Sequence, residues 1–253
     1  MKILRDTWLI FARSMTTTLR NPVWVIVGLF QPICFLVLFG PLLEGVAQSP
    51  GFPPGGAFSV FTPGLLIQLG LFGAAFVGFG LIADLRAGVI EQMRVTPVSR
   101  LALLLGRALR DVVSLLVQCL LLLIVAVPMG LKADLGGVLI ALVLIALLGL
   151  LTASCSYALA LALKSEDALA PTLNLFTLPL LLLSGITLPL TLAPQWIRNL
   201  AIFNPFSHAV DAARALFNGD FGNRDVLIGF LVIGLLAILA MWWAARSFRE
   251  ATA

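Results

Sequence analysis

Long apolar runs, separated by short polar or proline-rich connectors, dominate the chain. Six predominantly apolar runs reach the length of about 20 residues that a helix needs to cross a hydrocarbon core about 30 Å thick. These predicted spans cover residues 22–43, 63–83, 108–128, 136–162, 168–189 and 226–245. Little of the chain remains for a soluble domain, so the pattern predicts a single all-α integral membrane unit over residues 1–253.

Composition leads to the same conclusion. The 253-residue chain is 60% hydrophobic and 11% charged, whereas a soluble domain has roughly 45–50% apolar and about 25% charged residues. Its three cysteines, Cys34, Cys119 and Cys155, all fall within predicted spans. We therefore expect them to act as small packing residues and not as a disulfide framework.

The first twenty residues show a different pattern, which is amphipathic with the period of a helix. One stripe consists of Leu4, Trp8, Phe11, Met15 and Leu19, and the opposite stripe consists of Lys2, Arg5, Arg13, Thr16 and Arg20. The pattern predicts a helix over residues 1–20 in the membrane interface, with Trp8 and Phe11 toward lipid and Arg13 toward anionic headgroups. Such a helix serves as an anchor or helps to dock a partner, and the residues alone leave both roles open.

Basic residues are distributed unevenly between the two sides of this arrangement. Twelve of the 16 Lys and Arg residues lie on the side of the N-terminus, and the others are Lys132, Arg198, Arg214 and Arg224. The positive-inside rule assigns the more basic side to the cytoplasm. The sequence thus predicts a multi-pass protein of the plasma membrane with both termini in the cytoplasm.

Residues 84–100, DLRAGVIEQMRVTPVSR, form a charged connector between two apolar spans on the predicted cytoplasmic side. Leu85, Val89 and Met93 recur at helical spacing among polar residues, and Pro97 ends the predicted helix. A short helix that is apolar on one face and polar on the other fits a groove on a partner protein. The alternative is a solvated loop that only reverses the chain.

Ionisable side chains are missing from the middle of every predicted span. Charges occur near the span ends, at Glu44, Asp84, Arg107, Arg110 and Asp111. Ion-coupled transporters usually bind their coupling ion at membrane depth through such groups, so the pattern argues against an ion-coupled pump. Interior polar residues occur at Gln31, Gln68, Gln118, Ser154, Ser156, Tyr157, Thr172 and Asn174. We interpret them as interhelical hydrogen-bonding groups, with substrate contact as the alternative.

The sequence contains no recognisable catalytic or cofactor-binding pattern. A phosphate-binding loop needs Gly-x-x-x-x-Gly-Lys-Ser/Thr, and no lysine in the chain follows a glycine. There is one histidine, His208, no cluster of carboxylates at metal-ligand spacing and no Gly-x-Ser-x-Gly. We therefore expect no catalytic residue, no metal site and no bound cofactor in this chain, and no nucleic-acid partner.

Two separated stretches resemble the type-2 ABC (ATP-binding-cassette) exporter permeases. Residues 88–100, GVIEQMRVTPVSR, resemble their cytoplasmic coupling helix, in which a Glu precedes a Thr-Pro turn. Residues 181–220, LLLSGITLPLTLAPQWIRNLAIFNPFSHAVDAARALFNGD, resemble their hallmark stretch before the last span. The matching positions are Ser184, Gly185, Pro189, Pro194, Trp196, Asn204, Pro205, Asp211 and Arg214. The N-terminal helix and the six-span layout are similar too, and the drug-exporter branch, with the daunorubicin-resistance permeases, is the most similar.

The resemblance implies partner subunits for this chain and the residues that contact them. Members combine two permease chains with two copies of a separate nucleotide-binding ATPase, which binds ATP and Mg. On this sequence the implied ATPase contact consists of Gly88, Glu91, Arg94, Thr96 and Pro97, beside the N-terminal helix. Residues 190–220 are expected to form two short re-entrant helices in the outer leaflet, separated at Asn204-Pro205. Asp211 and Arg214, three residues apart, are expected to form a local ion pair, with substrate contact as the alternative.

These expectations describe a permease subunit of an ATP-driven exporter, acting as a homodimer in a prokaryotic cytoplasmic membrane. An apolar pathway without charges suits amphipathic or lipophilic cargo, as in multidrug or antibiotic resistance. Within the same family, the alternative cargo is a lipid-linked glycan or another lipid. Outside it, the alternatives are a stand-alone channel or secondary transporter and a membrane-embedded enzyme, for which no catalytic pattern is present.

Overall fold

Helices make up nearly all of the described chain. The computed structural model describes residues 2–20, 23–47, 56–88, 100–187 and 189–251, and this part of the chain contains no strand. The helices are α1 (Lys2–Arg20), α2 (Val23–Val46), α3 (Ala57–Ala75), α4 (Val77–Arg86), α5 (Arg100–Ala126), α6 (Leu135–Leu163), α7 (Glu166–Leu182), α8 (Gln195–Ala201), α9 (Pro205–Phe217) and α10 (Arg224–Ala251). A 3₁₀ turn, Leu190–Leu192, precedes α8. The prediction of an all-α protein is confirmed.

Within the described residues, five segments are long and apolar enough to cross a membrane. They are Val25–Gly45, Ala57–Arg86, Leu101–Ala126, Leu135–Leu163 and Arg224–Glu250. The second of these segments contains both α3 and α4, with a break at Phe76. Each segment overlaps one of the predicted spans, and the chain has the architecture of a multi-pass membrane protein.

The fifth predicted span, residues 168–189, is not confirmed as a helix of spanning length. α7 has 17 residues and ends at Leu182. At a rise of 1.5 Å per residue this is about 25 Å, short of a hydrocarbon core about 30 Å thick. Gly185, in the turn that follows, has φ of 72°, a left-handed conformation that stops a helix. The apolar run continues beyond the helix, so hydropathy alone places the end too late.

The third predicted span, residues 108–128, begins too late. α5 starts at Arg100, so Arg107 and Asp111 lie along a continuous helix and not at its entrance. Asp111 is only 7% exposed, so this charged side chain is buried between helices, which the apolar pattern does not predict. The polar residues that precede the apolar run belong to the same helix, but hydropathy alone does not include them in the span.

α3 and α6 form the centre of the bundle. α6 packs against α3, α4, α5, α9 and α10, and α3 is buried along nearly its whole length. Small residues permit close approach, since a Cβ atom at Gly70 would lie 2.4 Å from Leu148 Cδ2. The Thr152 hydroxyl donates to Gly70 O at 2.9 Å, and the Gly78 amide donates to Ser156 Oγ at 2.9 Å. Ser156 therefore bonds between helices, as predicted for the interior polar residues.

α1 lies along α5. A Cβ atom at Gly106 would lie 2.9 Å from Thr7 O, so the two helix backbones are in close contact there. Trp8 and Arg13 are exposed, Phe11 is half-buried, and the Trp8 and Phe11 ring centroids are 5.2 Å apart. One side of α1 therefore rests on the protein, while Trp8 remains accessible on another.

Candidate functional site

The predicted ATPase contact lies mostly outside the described residues. Glu91, Arg94, Thr96 and Pro97 belong to residues 89–99, which the structure does not describe, and Gly88 is the last described residue before them. Gly88 has φ of 68°, and its amide donates to Leu85 O at 3.2 Å. A left-handed turn after α4 therefore explains the glycine at this position.

The second predicted motif begins with a buried turn after α7. The Ser184 hydroxyl donates to Leu181 O at 2.5 Å and accepts from the Ile186 amide at 3.3 Å. Gly185 follows in the left-handed conformation already noted. A buried turn must satisfy its backbone groups internally, and the serine does so for two of them. The Ser-Gly pair is therefore explained by the conformation of this turn.

Asn204 and Pro205 form the start of α9. The Asn204 side chain accepts a hydrogen bond from the α9 backbone at 3.0 Å, and Pro205 occupies the first turn, where no N–H is needed. Asn204 Nδ2 also donates to Leu180 O at 2.7 Å, and the Ser207 hydroxyl donates to Ala201 O at 2.6 Å. The N-terminus of α9 is thus tied to both α7 and α8.

Arg214 joins α9 to two other parts of the bundle. Its Nε donates to Val60 O at 3.0 Å and its Nη2 donates to Gly185 O at 2.8 Å. Asp211 Oδ1 lies 3.9 Å from Arg214 Nη1, so the predicted local pair is present only as a long ion-pair contact. The stronger partners are backbone carbonyls of α3 and of the turn after α7. We call Ser184, Gly185, Asn204 and Arg214 the outer motif cluster, after the side of the membrane on which the sequence predicts them to lie.

Burial opposes charge on both members of the Asp211–Arg214 contact. It lowers the pKa of Arg214 to about 10, although Asp211 raises it. Burial also raises the pKa of Asp211, while Arg214 lowers it and Asp225 raises it. A guanidinium with a pKa of about 10 is charged at neutral pH, and its two carbonyl partners offset part of the cost of burying it.

Pro194 and Trp196 lie apart from the outer motif cluster. Pro194 immediately precedes α8, and α8 and the turn after it expose Trp196, at 64%, and Phe203, at 86%. This segment thus exposes two aromatic side chains, which suits the interfacial level of a bilayer. The predicted motif is therefore divided between a buried cluster and an exposed face.

A cavity of about 690 Å³ lies beside the outer motif cluster. Its lining includes Pro189, Leu190, Ala201 and Ile202 as apolar groups and Arg198, His208, Asp211, Arg214, Asp220 and Asp225 as polar groups. Among the described residues, no group of three or more His, Cys, Asp or Glu side chains is arranged to hold a metal ion. The lining thus combines an apolar part with a charged part.

A second polar group lies at the other end of the bundle. Arg107 Nη2 is 2.6 Å from Asp84 Oδ2, and Arg110 Nη2 is 2.8 Å from Asp111 Oδ1. The Tyr157 hydroxyl donates to Asp111. We call these five residues the α5 charge cluster, since three of them lie on α5. Sequence reasoning missed it, although the spacing of residues 107, 110 and 111 on one helical face was a usable signal.

Comparison with known proteins identifies relatives along most of the chain. The daunorubicin resistance ABC transporter permease protein DrrB1 of Streptomyces coeruleorubidus is 28% identical over 231 residues, which are 90% of this chain and 81% of the relative. The putative transport permease ycf38 of Pyropia yezoensis is 25% identical, covering 93% of this chain and 85% of the relative. The ycf38 protein of Cyanophora paradoxa is 24% identical, covering 85% of this chain and 75% of the relative.

The sequence model of the ABC-2 type transporter family matches residues 5–218. That range includes nearly all of α1, the segment 84–100 and the whole outer motif cluster, and it ends just after α9. The chain therefore belongs to the ABC-2 type transporter family and is a membrane permease component of an ABC transporter.

Proposed function

We propose that this permease is the transmembrane subunit of an ATP-driven exporter whose cargo is amphipathic or lipophilic, either drug-like or lipid. The observation that carries the proposal is the similarity, over 90% of the chain, to a permease named for daunorubicin resistance. Long helices with few buried charges support the same class of cargo. A lipophilic molecule loses little hydration when it enters such surroundings, whereas a highly charged one loses much.

A separate ATPase provides the energy in this proposal. The chain has no phosphate-binding loop, and membership of an ABC permease family implies such a partner. Two copies of the ATPase, each binding ATP and Mg, act with two copies of this chain as a homodimer. The assigned contact consists of Gly88, Glu91, Arg94, Thr96 and Pro97, with α1 beside them. Its support is the resemblance at residues 88–100 and the packing of α1 on α5, the helix that follows this segment.

The outer motif cluster is assigned to the exit side of the pathway. Residues 190–220 contain the two short helices α8 and α9, for which we propose a re-entrant position in the outer leaflet. Arg214 links α9 to α3, and Asn204 links it to α7. The position of α9 therefore depends on α3 and α7. A movement of either helix would move α9, as is required if α9 covers the exit of the pathway.

The protein is assigned to a prokaryotic cytoplasmic membrane with both termini inside. Twelve of its 16 basic residues support this orientation. Near the C-terminal end of α10, Arg246 Cζ lies 5.9 Å from the centroid of the Trp242 ring. Tryptophan beside arginine is typical of a membrane interface, where the ring lies at the headgroup level.

Site-directed crosslinking tests the proposal directly. Cys34, Cys119 and Cys155 are replaced by alanine, a single Glu91→Cys change is introduced, and native membranes are crosslinked. Mass spectrometry of the captured partner should identify an ATPase with a phosphate-binding loop. A second chain that also carries Pro97→Ala should lose this product. Capture of no such ATPase, from a chain that inserts normally, contradicts the proposed function.

Two substitutions in the same segment should uncouple ATP hydrolysis from export. Glu91→Arg reverses the charge offered to the ATPase, and Pro97→Ala removes the ring that ends the predicted helix. We expect both variants to insert in normal amounts and to retain ATPase activity in membranes, while cargo export is lost. Glu250→Arg, a charge reversal at the end of α10, is the matched control and should export normally. Normal export by both test variants contradicts the assignment of this contact.

A further inference from the structure

Three residues of α5 reach three different helices. Arg107 pairs with Asp84 of α4 at 2.6 Å, Arg110 Nη1 donates to Thr18 of α1 at 3.3 Å, and Asp111 accepts from Tyr157 of α6. The α5 positions are spaced i, i+3 and i+4, so they lie on one side of the helix. Polar contacts thus fix α5 to α1, α4 and α6 within little more than one helical turn.

Burying the carboxylate of Asp111 is costly in a membrane protein. Asp111 is 7% exposed, and Tyr157 is buried as well. Small apolar residues also pack two helices together in a membrane, without the cost of burying a charge. Ionisable groups inside membrane proteins generally mark functional positions, because they are otherwise lost to apolar residues. A role beyond simple packing therefore accounts for the α5 charge cluster.

Two of the helices in this cluster flank the proposed ATPase contact. α4 ends at Arg86 and α5 begins at Arg100, so the chain between them includes Glu91 and Pro97. The Asp84–Arg107 ion pair holds the two flanking helices together. A displacement applied between α4 and α5 therefore acts on both helices at once.

α6 extends from the α5 charge cluster to the outer end of the bundle. Tyr157 and Gly137 are separated on α6 by about 30 Å of continuous helix. At Gly137 the backbones of α6 and α9 are in direct contact, since a Cβ atom there would lie 1.7 Å from Leu216 O. A shift of α6 along or about its axis therefore moves α9, which carries Arg214 and the outer motif cluster.

We propose that the α5 charge cluster positions α6 relative to α4 and α5, and that α6 passes an ATP-driven displacement to α9 at the exit side. This inference rests on the proposed function, because it requires an ATPase that acts on residues 88–97. Arg107, Arg110, Asp111 and Tyr157 are positioning residues in this scheme and contact no cargo. The displacement reaches α6 at the cluster and passes from α6 to α9 at the Gly137–Leu216 contact.

Hydrogen exchange measured by mass spectrometry separates this role from a purely structural one. The intact complex with its ATPase is compared without nucleotide and with ATP, Mg and vanadate. We expect nucleotide-dependent differences in α1, in the cluster end of α6 and in α9. Tyr157→Phe keeps the ring and removes only the hydroxyl, and it should abolish the differences in α6 and α9. A contact with only a structural role would change exchange equally in both nucleotide states.

A charge exchange provides the second test. Asp84→Arg and Arg107→Asp should each abolish the nucleotide-dependent difference in α6, and the double variant should restore it because the pair is re-formed with opposite polarity. Arg246→Gln breaks an ion pair within α10 that joins no two helices, and it should leave the differences unchanged. Tyr157→Phe provides the decisive result where a charge reversal prevents insertion.

The possible failures are distinguishable. Failure to capture an ATPase through Glu91→Cys, in the chain that lacks its three native cysteines, overturns the proposed function, and the inference falls with it. Normal capture, combined with no nucleotide-dependent difference in α6 of the unaltered complex, overturns the inference alone. So does a Tyr157→Phe variant that keeps the differences in α6 and α9, or a double variant that fails to restore them.

Discussion

Arg214 combines burial with positive charge, and its surroundings explain why the residue is an arginine. Its planar guanidinium directs two donors at Val60 O and Gly185 O, which belong to different segments of the chain. Hydrogen bonds from a charged donor are stronger than neutral ones. A lysine carries the same charge on a single nitrogen and lacks the forked geometry. The position therefore requires the shape of the side chain as well as its charge.

Arg214→Lys should destabilise the protein measurably. One of the two carbonyls loses its charged donor, and such a bond contributes about 1.5–3 kcal/mol. The expected result is a lower melting temperature of the purified protein in detergent. Arg198→Lys is the matched control, because Arg198 lines the same cavity on exposed α8, and it should melt as the unaltered chain does. Equal melting of both variants contradicts the role assigned to Arg214.

The sequence predicts part of this residue-scale arrangement. The spacing of Asp211 and Arg214 indicates an ion pair, and Asn204-Pro205 indicates the start of a helix, which the structure contains. The main partners of Arg214 could not be predicted in the same way. They are backbone carbonyls at Val60 and Gly185, and every residue has a carbonyl, so no pattern of side chains identifies which ones accept.

The contact between α6 and α9 requires a glycine at position 137. The Gly137 backbone lies against Leu216 O, with no room for a Cβ atom. Asp134 caps the same end of α6 by accepting from the Gly137 amide at 2.8 Å. The N-terminus of α6 is therefore capped by Asp134 and packed directly against α9.

Gly137→Ala should force α6 and α9 apart. The added methyl group would meet backbone, which cannot rotate away as a flexible side chain does, so we expect a strong loss of folded protein and of melting temperature. Gly234→Ala, in α10, is the control, because a Cβ atom there meets nothing within 4 Å. Fluorescence-detected size-exclusion chromatography measures both. A folded Gly137→Ala variant with unchanged melting contradicts the close contact.

The periodic pattern predicts long apolar helices well and their ends poorly. α2, α6 and α10 follow from apolar runs with few interruptions. α7 ends early because Gly185 adopts a left-handed turn inside an apolar run, and α5 starts early because polar residues continue the helix. In both cases local backbone conformation and tertiary packing, which hydropathy does not describe, set the boundary.

At the scale of the whole molecule, basic residues are concentrated at one end. That end carries the α5 charge cluster, α1 and the Trp242–Arg246 contact. The other end carries α8, α9 and the outer motif cluster, with only four of the 16 basic residues. The asymmetry fits the positive-inside rule for short connections near the ends of spans, and in the proposed orientation the α5 charge cluster lies on the cytoplasmic side.

Cysteine labelling in intact cells tests this orientation. In the cysteine-free chain, Asp167→Cys places a thiol at the exposed start of α7, and Gly222→Cys places one between α9 and α10, where a Cβ atom meets nothing within 4 Å. A membrane-impermeant maleimide should label position 222 in intact cells and position 167 only after the cells are broken. The reverse result would place the α5 charge cluster outside, where no ATP is available. Both the proposed ATPase contact and the transmission from α5 through α6 to α9 would then be wrong, since the energy source and the cluster would lie on opposite sides of the membrane.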